Sequence, residues 1–197
     1  MSQPLAYPPR LALANLPTPL QPLRRLQRET GGPLIWLKRD DLTGSVLTGN
    51  KVRKLEFILA QAQREGCSAV ITCGGVQSNH CRATAFAAAQ LGMQCHLILR
   101  GDADAEREGN LLLDHLAGAS VEIHTPRDYN GKLDQLFERQ VAVFKQQGLS
   151  THTIPTGGSD GLGVWGYIAA CEELASDFSK EAIRPSAIIC ATGSGGT

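Results

Sequence analysis

No apolar run in this sequence approaches the roughly 20 residues that a membrane-spanning helix needs. A surplus of either charge is missing too, since 19 basic residues balance 19 acidic ones. That balance leaves no electrostatic footprint for nucleic acid or for an anionic membrane, and neither is expected as a partner. The first residues, MSQPLAYPPRLALANLPTPL, put prolines where a secretion signal needs an apolar helix, which points to a cytoplasmic protein. The six cysteines, at 67, 73, 81, 95, 171 and 190, form no C-x-x-C pair and no cysteine–histidine ligand spacing. They read as free thiols of a reducing compartment, and no metal is expected. Internal repeats and low-complexity tracts are also lacking.

What is present is a regular alternation. The 197 residues suffice for one domain or two small ones, and an apolar content of 42% allows a proper core. Short β-branched runs are read as strands at 34–42, 68–74, 94–100, 120–125, 151–155 and 186–193. Helical patterns lie between them at 51–65, 79–91, 106–117, 132–147 and 162–175. Such alternation predicts an α/β protein with a mostly parallel, helix-covered sheet.

Ligands of these sheets sit at the carboxyl ends of strands. Three glycine-rich loops fall there: CGGVQSNH at 73–80, PTGGSDGLG at 155–163 and ATGSGGT at 191–197. The last breaks off at Thr197 where a helix should open, so the chain is expected to be a piece of a longer protein.

Residues 44–51 read G-x-x-x-x-G-N-K. A nucleotide-binding loop needs lysine directly after its second glycine and then Ser or Thr. Here Asn50 intervenes and Val52 follows, which weakens that reading. Lys51 instead begins the apolar stripe of Leu55, Ile58, Leu59 and Ala62, with Arg53, Glu56 and Arg64 on the opposite side. A desolvated lysine has a lowered pKa and suits Schiff-base chemistry. The alternative is a snorkelling stem, and periodicity leaves the two even. Lys54 neighbours Lys51 on the helix and is either a phosphate ligand or a solvated charge.

Ser78 or Asn79 caps the next helix, whose free amides attract a carboxylate or phosphate. A cap accounts for one of these residues, not for the crowding of Gln77, Ser78, Asn79 and His80. Taken alone, His80 reads as a hydrogen-bonded structural histidine. The loop Thr192, Gly193, Ser194, Gly195, Gly196, Thr197 offers successive backbone amides and can wrap an anion. Asp40 and Asp41 are adjacent, so a turn or capping role is favoured over a cooperating pair.

In order along the chain stand LPTPL (16–20), KRDDLTG (38–44), GNKVRKLEF (49–57), GGVQSNHCRATA (74–85) and TGSGGT (192–197). This set resembles the pyridoxal-phosphate family of D-cysteine desulfhydrase and 1-aminocyclopropane-1-carboxylate deaminase. The resemblance covers essentially the whole chain. It implies a tryptophan synthase β-like, fold-type II architecture, incomplete at its C-terminus. Residues 51–159 would then be the smaller domain, and residues 1–50 and 160–197 parts of the larger, cofactor-binding one. It implies pyridoxal 5'-phosphate as cofactor, with Lys51 as its imine partner. Lys54 and residues 192–197 would hold the phosphate, and Asn79 the phenolic oxygen. Ser78 to His80 would take the substrate carboxylate, with Ser78 as a nucleophile or base.

The implied reaction breaks a small amino acid down to a 2-oxo acid and ammonia, in a homodimer. After Ser-Asn the deaminase pattern favours Gln-Thr, whereas this chain has His80-Cys81, nearer the desulfhydrase, which also releases sulfide. The deaminase, or an inactive anion-binding remnant, is the alternative.

Overall fold

The computed structural model describes residues 6–196. Its centre is a four-stranded, wholly parallel sheet. The strands are β3 (Ala69–Gly75), β4 (Gln94–Arg100), β5 (Ser120–His124) and β6 (Thr151–Thr153), in the spatial order β5-β4-β3-β6. Ahead of it, β1 (Leu20–Pro22) and β2 (Trp36–Lys38) pair antiparallel around helix α1 (Arg24–Thr30).

Alternation along the strands assigns each face its cover. Val70, Leu97 and Leu99 pack with α2 (Asn50–Arg64), α3 (Asn79–Gln90) and Leu111 of α4 (Gly109–Leu116). Ala69, Ile71, Cys73 and Ile98 pack with Tyr129, Leu136 and Phe144 of α5 (Pro126–Gln146). Burial on both faces is what a parallel sheet demands, and it accounts for the unbroken apolar runs of β3 and β4. Ala83, Ala85, Ala87 and Ala88 are buried, so α3 presents little bulk on that face. The last helix, α6 (Trp165–Lys180), crosses α2 where a Cβ on Gly166 would lie 2.5 Å from the Arg53 carbonyl carbon and oxygen. Only glycine permits that approach.

The strand order runs outward from β3 through β4 to β5, then jumps back to place β6 on the other side of β3. The carboxyl ends of β3 and β6 therefore flank a topological switch point, where such sheets hold ligands.

Several elements differ from expectation. Residues 186–193 form no strand, and Ile188 and Ile189 are 69% and 94% exposed. A strand needs a ladder partner, and none of the described strands offers it one. Helix α5 starts six residues before the expected 132, because Thr125 caps it and Pro126 opens it. The expected strand at 34–42 shortens to β2, then turns into a single 3-10 turn at Asp40–Leu42. All six cysteines are free.

Candidate active site

Helix α2 opens at Gly49, whose φ of 95° is a backbone state other residues rarely adopt. The Thr43 hydroxyl accepts from the Gly49 amide at 2.8 Å and pins the turn. Lys51 follows in the first turn, half-buried, and desolvation lowers its pKa. Its amine reaches the β6–α6 connection. A Cβ on Gly157 would lie 3.3 Å from Lys51 Nζ and 2.5 Å from Ser194 Oγ.

Lys54, one turn on, is fully buried. Its Nζ donates to the Gly157 carbonyl at 3.1 Å and to Ser159 Oγ at 2.9 Å. Ser159 Oγ meets Ser194 Oγ at 2.7 Å. A Cβ on Gly196 would lie 2.6 Å from both Lys54 Nζ and Ser159 Oγ. Burial, and after it the charge of Lys51, brings Lys54 down to about 8 against an opposing pull from Asp160. Among the described residues neither lysine has an ion pair. Two amines, two hydroxyls and a bare glycine backbone converge at the switch point without a carboxylate in contact. The donor set suits a group carrying an aldehyde and a phosphate: an amine of lowered pKa for the one, donors and positive charge for the other.

The QSNH segment resolves into separate tasks. Ser78 caps α3, its hydroxyl oxygen accepting from the Cys81 amide at 3.2 Å. His80 turns inward and is buried. The Thr72 hydroxyl donates to the Ile154 carbonyl at 2.9 Å, so it accepts from His80 Nε2 at 2.8 Å. Burial first, then the charges of Lys51 and Lys54, pushes His80 down to about 3, which keeps it neutral. Its side chain therefore braces β3 against the β6–α6 connection instead of standing at the open start of α3.

Asn79 Oδ1 accepts from Asn110 Nδ2 at 3.0 Å and from Arg82 Nη1 at 3.3 Å. Arg82 Nη2 also donates to the Thr48 carbonyl at 2.9 Å. Gln77 holds Asn110 through its own Oε1, which accepts from the Asn110 amide at 2.8 Å. This net ties the turn before Lys51 to the start of α3. Sequence reading missed Arg82 and Asn110. Arg82 stood three residues after Asn79, on the same helix face, as its only signal.

Three readings of α2 and its neighbours are corrected. Arg53 and Glu56 do not face solvent, being 0% and 1% exposed. Glu56 Oε1 accepts from the amides of Leu13 and Ala14, and Arg10 pairs with Oε2 at 2.6 Å. Arg53 grips Asp40 with Nε at 2.9 Å and Nη2 at 2.7 Å, and reaches Glu173 Oε2 with Nη1 at 2.7 Å. Asp40 is thus a half-buried anchor, and Asp41 turns to Arg39 at 2.7 Å. Lys54 is not a solvated charge. An amphipathic stripe cannot foresee a helix enclosed on every side. Of the third loop, residues 192–196 reach the site through Ser194 and Gly196, and Thr197 lies outside the described residues.

Comparisons with known proteins agree in kind. The pattern of the family described as pyridoxal-phosphate dependent enzyme matches residues 11–197. A mitochondrial protein of Arabidopsis thaliana, named as a bifunctional D-cysteine desulfhydrase/1-aminocyclopropane-1-carboxylate deaminase, is 42% identical over 94% of this chain and 48% of its own. A D-cysteine desulfhydrase of Serratia proteamaculans is 38% identical over 100% of this chain and 60% of its own. The chain thus spans about half to three-fifths of these relatives. Among solved structures, an ACC deaminase homologue superposes with a TM-score of 0.76 at 38% identity, covering 86% of this chain and 51% of that one. A T.th. threonine deaminase shares the fold at a TM-score of 0.66 and 23% identity, over 91% and 52%.

Proposed function

The chain belongs to the pyridoxal-phosphate dependent enzyme family, and from that premise we propose that it serves the breakdown of a small amino acid to a 2-oxo acid and ammonia. The reading is D-cysteine desulfhydrase-like, with sulfide as the further product. One observation carries it: Lys51 and Lys54 reach the same glycine, Gly157, from one helix turn, and among the described residues neither forms an ion pair.

The cradle fits the cofactor. Lys51 would hold it through its aldehyde, and desolvation favours the neutral amine that this needs. Lys54, Ser159, Ser194 and the backbone of 192–196 would hold its phosphate. Bound pyridoxal phosphate supplies an electron sink for charge developing at the substrate's Cα. Lys51 Nζ would take the proton from that carbon and pass it to the departing sulfur, so that the Cα–H and Cβ–S bonds break together with no net gain or loss of protons. Asn79, steadied by Arg82 and Asn110, would hold the phenolic oxygen of the cofactor ring. The start of α3, with Ser78 and Asn79, receives the substrate carboxylate on its free amides. Ser78, whose hydroxyl oxygen caps the helix, would act there as nucleophile or base. His80 supports this end from behind through Thr72. Residues 51–159 act as the smaller domain and residues 1–50 and 160–197 belong to the larger one. The whole protein works in the cytoplasm as a homodimer.

A spectrum and an assay test this together. The purified protein is expected to show the visible absorbance of lysine-bound cofactor, and Lys51→Ala to lose it. Incubated with D-cysteine, L-cysteine and 1-aminocyclopropane-1-carboxylate in turn, it is expected to release sulfide from D-cysteine. Release of 2-oxo acid from the cyclopropane alone assigns the deaminase reaction instead. A visible band indifferent to Lys51→Ala sinks both.

A further inference from the structure

The far end of the sheet carries a second cluster of reactive side chains, unrelated to the lysine site. One donor atom each from Glu65, Cys67 and His152 lies within 4.8 Å of the other two. Glu65 is the C-cap residue of α2, Cys67 begins the connection to β3, and His152 lies in β6 beside Val70. Between the first two stands Gly66, whose φ of 70° turns the chain so that Glu65 and Cys67 share one side.

The backbone there is well pinned. The Cys67 amide donates to the Ala62 carbonyl at 2.9 Å, and the Ser68 and Ala69 amides both donate to the Ser150 carbonyl, at 2.9 and 3.0 Å. The side chains are pre-aimed as well. Gln61 Nε2 donates to Glu65 Oε1 at 2.8 Å, leaving Oε2 turned to His152 Nδ1 at 3.0 Å. Ser150 Oγ donates to Cys67 Sγ at 3.7 Å. Partners that orient ligands from behind are the usual support of a metal centre.

We propose that Glu65, Cys67 and His152 bind a zinc-like divalent cation. A carboxylate, a thiolate and an imidazole form a borderline donor set, which suits zinc and cobalt and disfavours magnesium and calcium. Zinc bonds of about 2.0–2.3 Å are reached by small side-chain movements, and a water fills the fourth position. Binding releases the thiol proton and replaces the Glu65–His152 hydrogen bond with two metal bonds. The ion clamps the end of α2 to β6, while the start of that helix carries the site lysines. Its effect is on stability, by mass action, and the cluster stands whatever reaction the other end performs. Sequence spacing hides it, because the histidine lies on a different strand from the cysteine.

Cobalt(II) titration of the cofactor-loaded protein tests the site. Difference spectra are expected to show a thiolate-to-cobalt charge-transfer band that saturates at one equivalent and is reversed by zinc. Cys67→Ser is expected to abolish the band, and His152→Ala to weaken binding about tenfold or more, with far-ultraviolet circular dichroism confirming that both stay folded. Absence of any band in the unmodified protein overturns the proposal. So does a band that survives Cys67→Ser, since it would then come from exposed Cys171 or Cys190.

Discussion

Lys54 Nζ donates a 2.9 Å hydrogen bond to Ser159 Oγ, joining two residues that lie 105 positions apart. That bond closes the switch point of the sheet. It sets an ammonium, brought by α2, against the connection after β6, and Ser194 joins through Ser159 at 2.7 Å. A buried cation hydrogen-bonded by neutral oxygens is poised for an anion, and in the protein alone the pull of Asp160 offsets its desolvation only in part.

The pH dependence of stability is expected to reveal that burden. Burial and Lys51 bring Lys54 down to about 8 in the folded state, while the unfolded chain keeps the proton to about 10.4. Below pH 8 both states are charged and the folded one carries the full penalty. Between about 8 and 10.4 the unfolded state binds more protons, so stability rises with pH. Urea unfolding of the cofactor-free protein on either side of this window should show the rise, and Lys54→Met should show a smaller one, left by the lowered pKa of Lys51. The same variant is expected to bind the cofactor about tenfold or more weakly, because a charge-assisted bond is worth ~1.5–3 kcal/mol. Equal pH profiles for both proteins would refute the assignment.

Arg53 should prove costly to remove. Its guanidinium is fully buried and satisfies Asp40 and Glu173 at once. Arg53→Met leaves Asp40 to the Thr18 and Tyr167 hydroxyls and Glu173 to Lys38, with an expected loss of ~3–5 kcal/mol. Arg53→Lys should recover only part, since an ammonium cannot reproduce the fork. Burial disfavours the Glu173 carboxylate, but the Arg53 and Lys38 hydrogen bonds outweigh it and bring Glu173 down to about 2. Its contribution is therefore complete above the unfolded value of about 4.3 and lost as pH falls towards 2. Acid unfolding of Glu173→Gln beside the unmodified protein reads that difference; coincident curves in this range argue against the network.

Glycine substitutions at two places are expected to act with opposite sign. Gly157 has φ 70°, and a Cβ there would lie 2.5 Å from Ser194 Oγ. Gly157→Ala should lose ~1–2 kcal/mol from the left-handed backbone alone, and should also weaken cofactor binding by crowding Lys51. Gly131 lies in α5 with nothing within 4 Å of its would-be Cβ. Gly131→Ala should gain ~0.5–1 kcal/mol and leave the cofactor undisturbed. Thermal unfolding with and without cofactor separates the two. Equal effects would mean that the cradle around Gly157 is not tight.

The parallel sheet was legible because β3 and β4 are apolar on both faces and glycine marks their ends. Lys51 stood out for a different reason: an ordered set of motifs tipped a reading that periodicity left even, and the structure brings its amine to Gly157. Arg53 and Glu56 were misread because the stripe of Leu55, Ile58 and Leu59 implies one buried face, whereas α2 is enclosed by the N-terminal segment and α6 as well. Residues 186–193 look like a strand by composition, yet strand formation depends on a partner edge that no local pattern reports. The net of Gln77, Arg82 and Asn110 was invisible because Asn110 comes from a helix 31 residues beyond Asn79.

Asp114 offers the sharpest test of the packing behind α3. Its carboxyl is 1% exposed, and neither oxygen has a hydrogen-bond partner among the described residues. Burial pushes it up to about 7 against the lowering pull of Arg82, and the thiols of Cys81 and Cys95 lie close enough to sense its charge. The unfolded carboxyl titrates near 3.9. Below that pH both states are protonated. From about 3.9 to 7 the folded state holds a proton that the unfolded state has released, so stability falls as pH rises. Above about 7 the folded protein carries a buried anion that only Arg82 offsets. Asp114→Asn keeps the shape and cannot ionise. Its own unpaired amide shifts stability by a constant, so the informative quantity is the slope. Measured by urea unfolding, the variant should gain on the unmodified protein steadily between about pH 4 and pH 7, then run parallel to it. A constant difference across that range would show that Asp114 is already ionised or hydrated in the folded state.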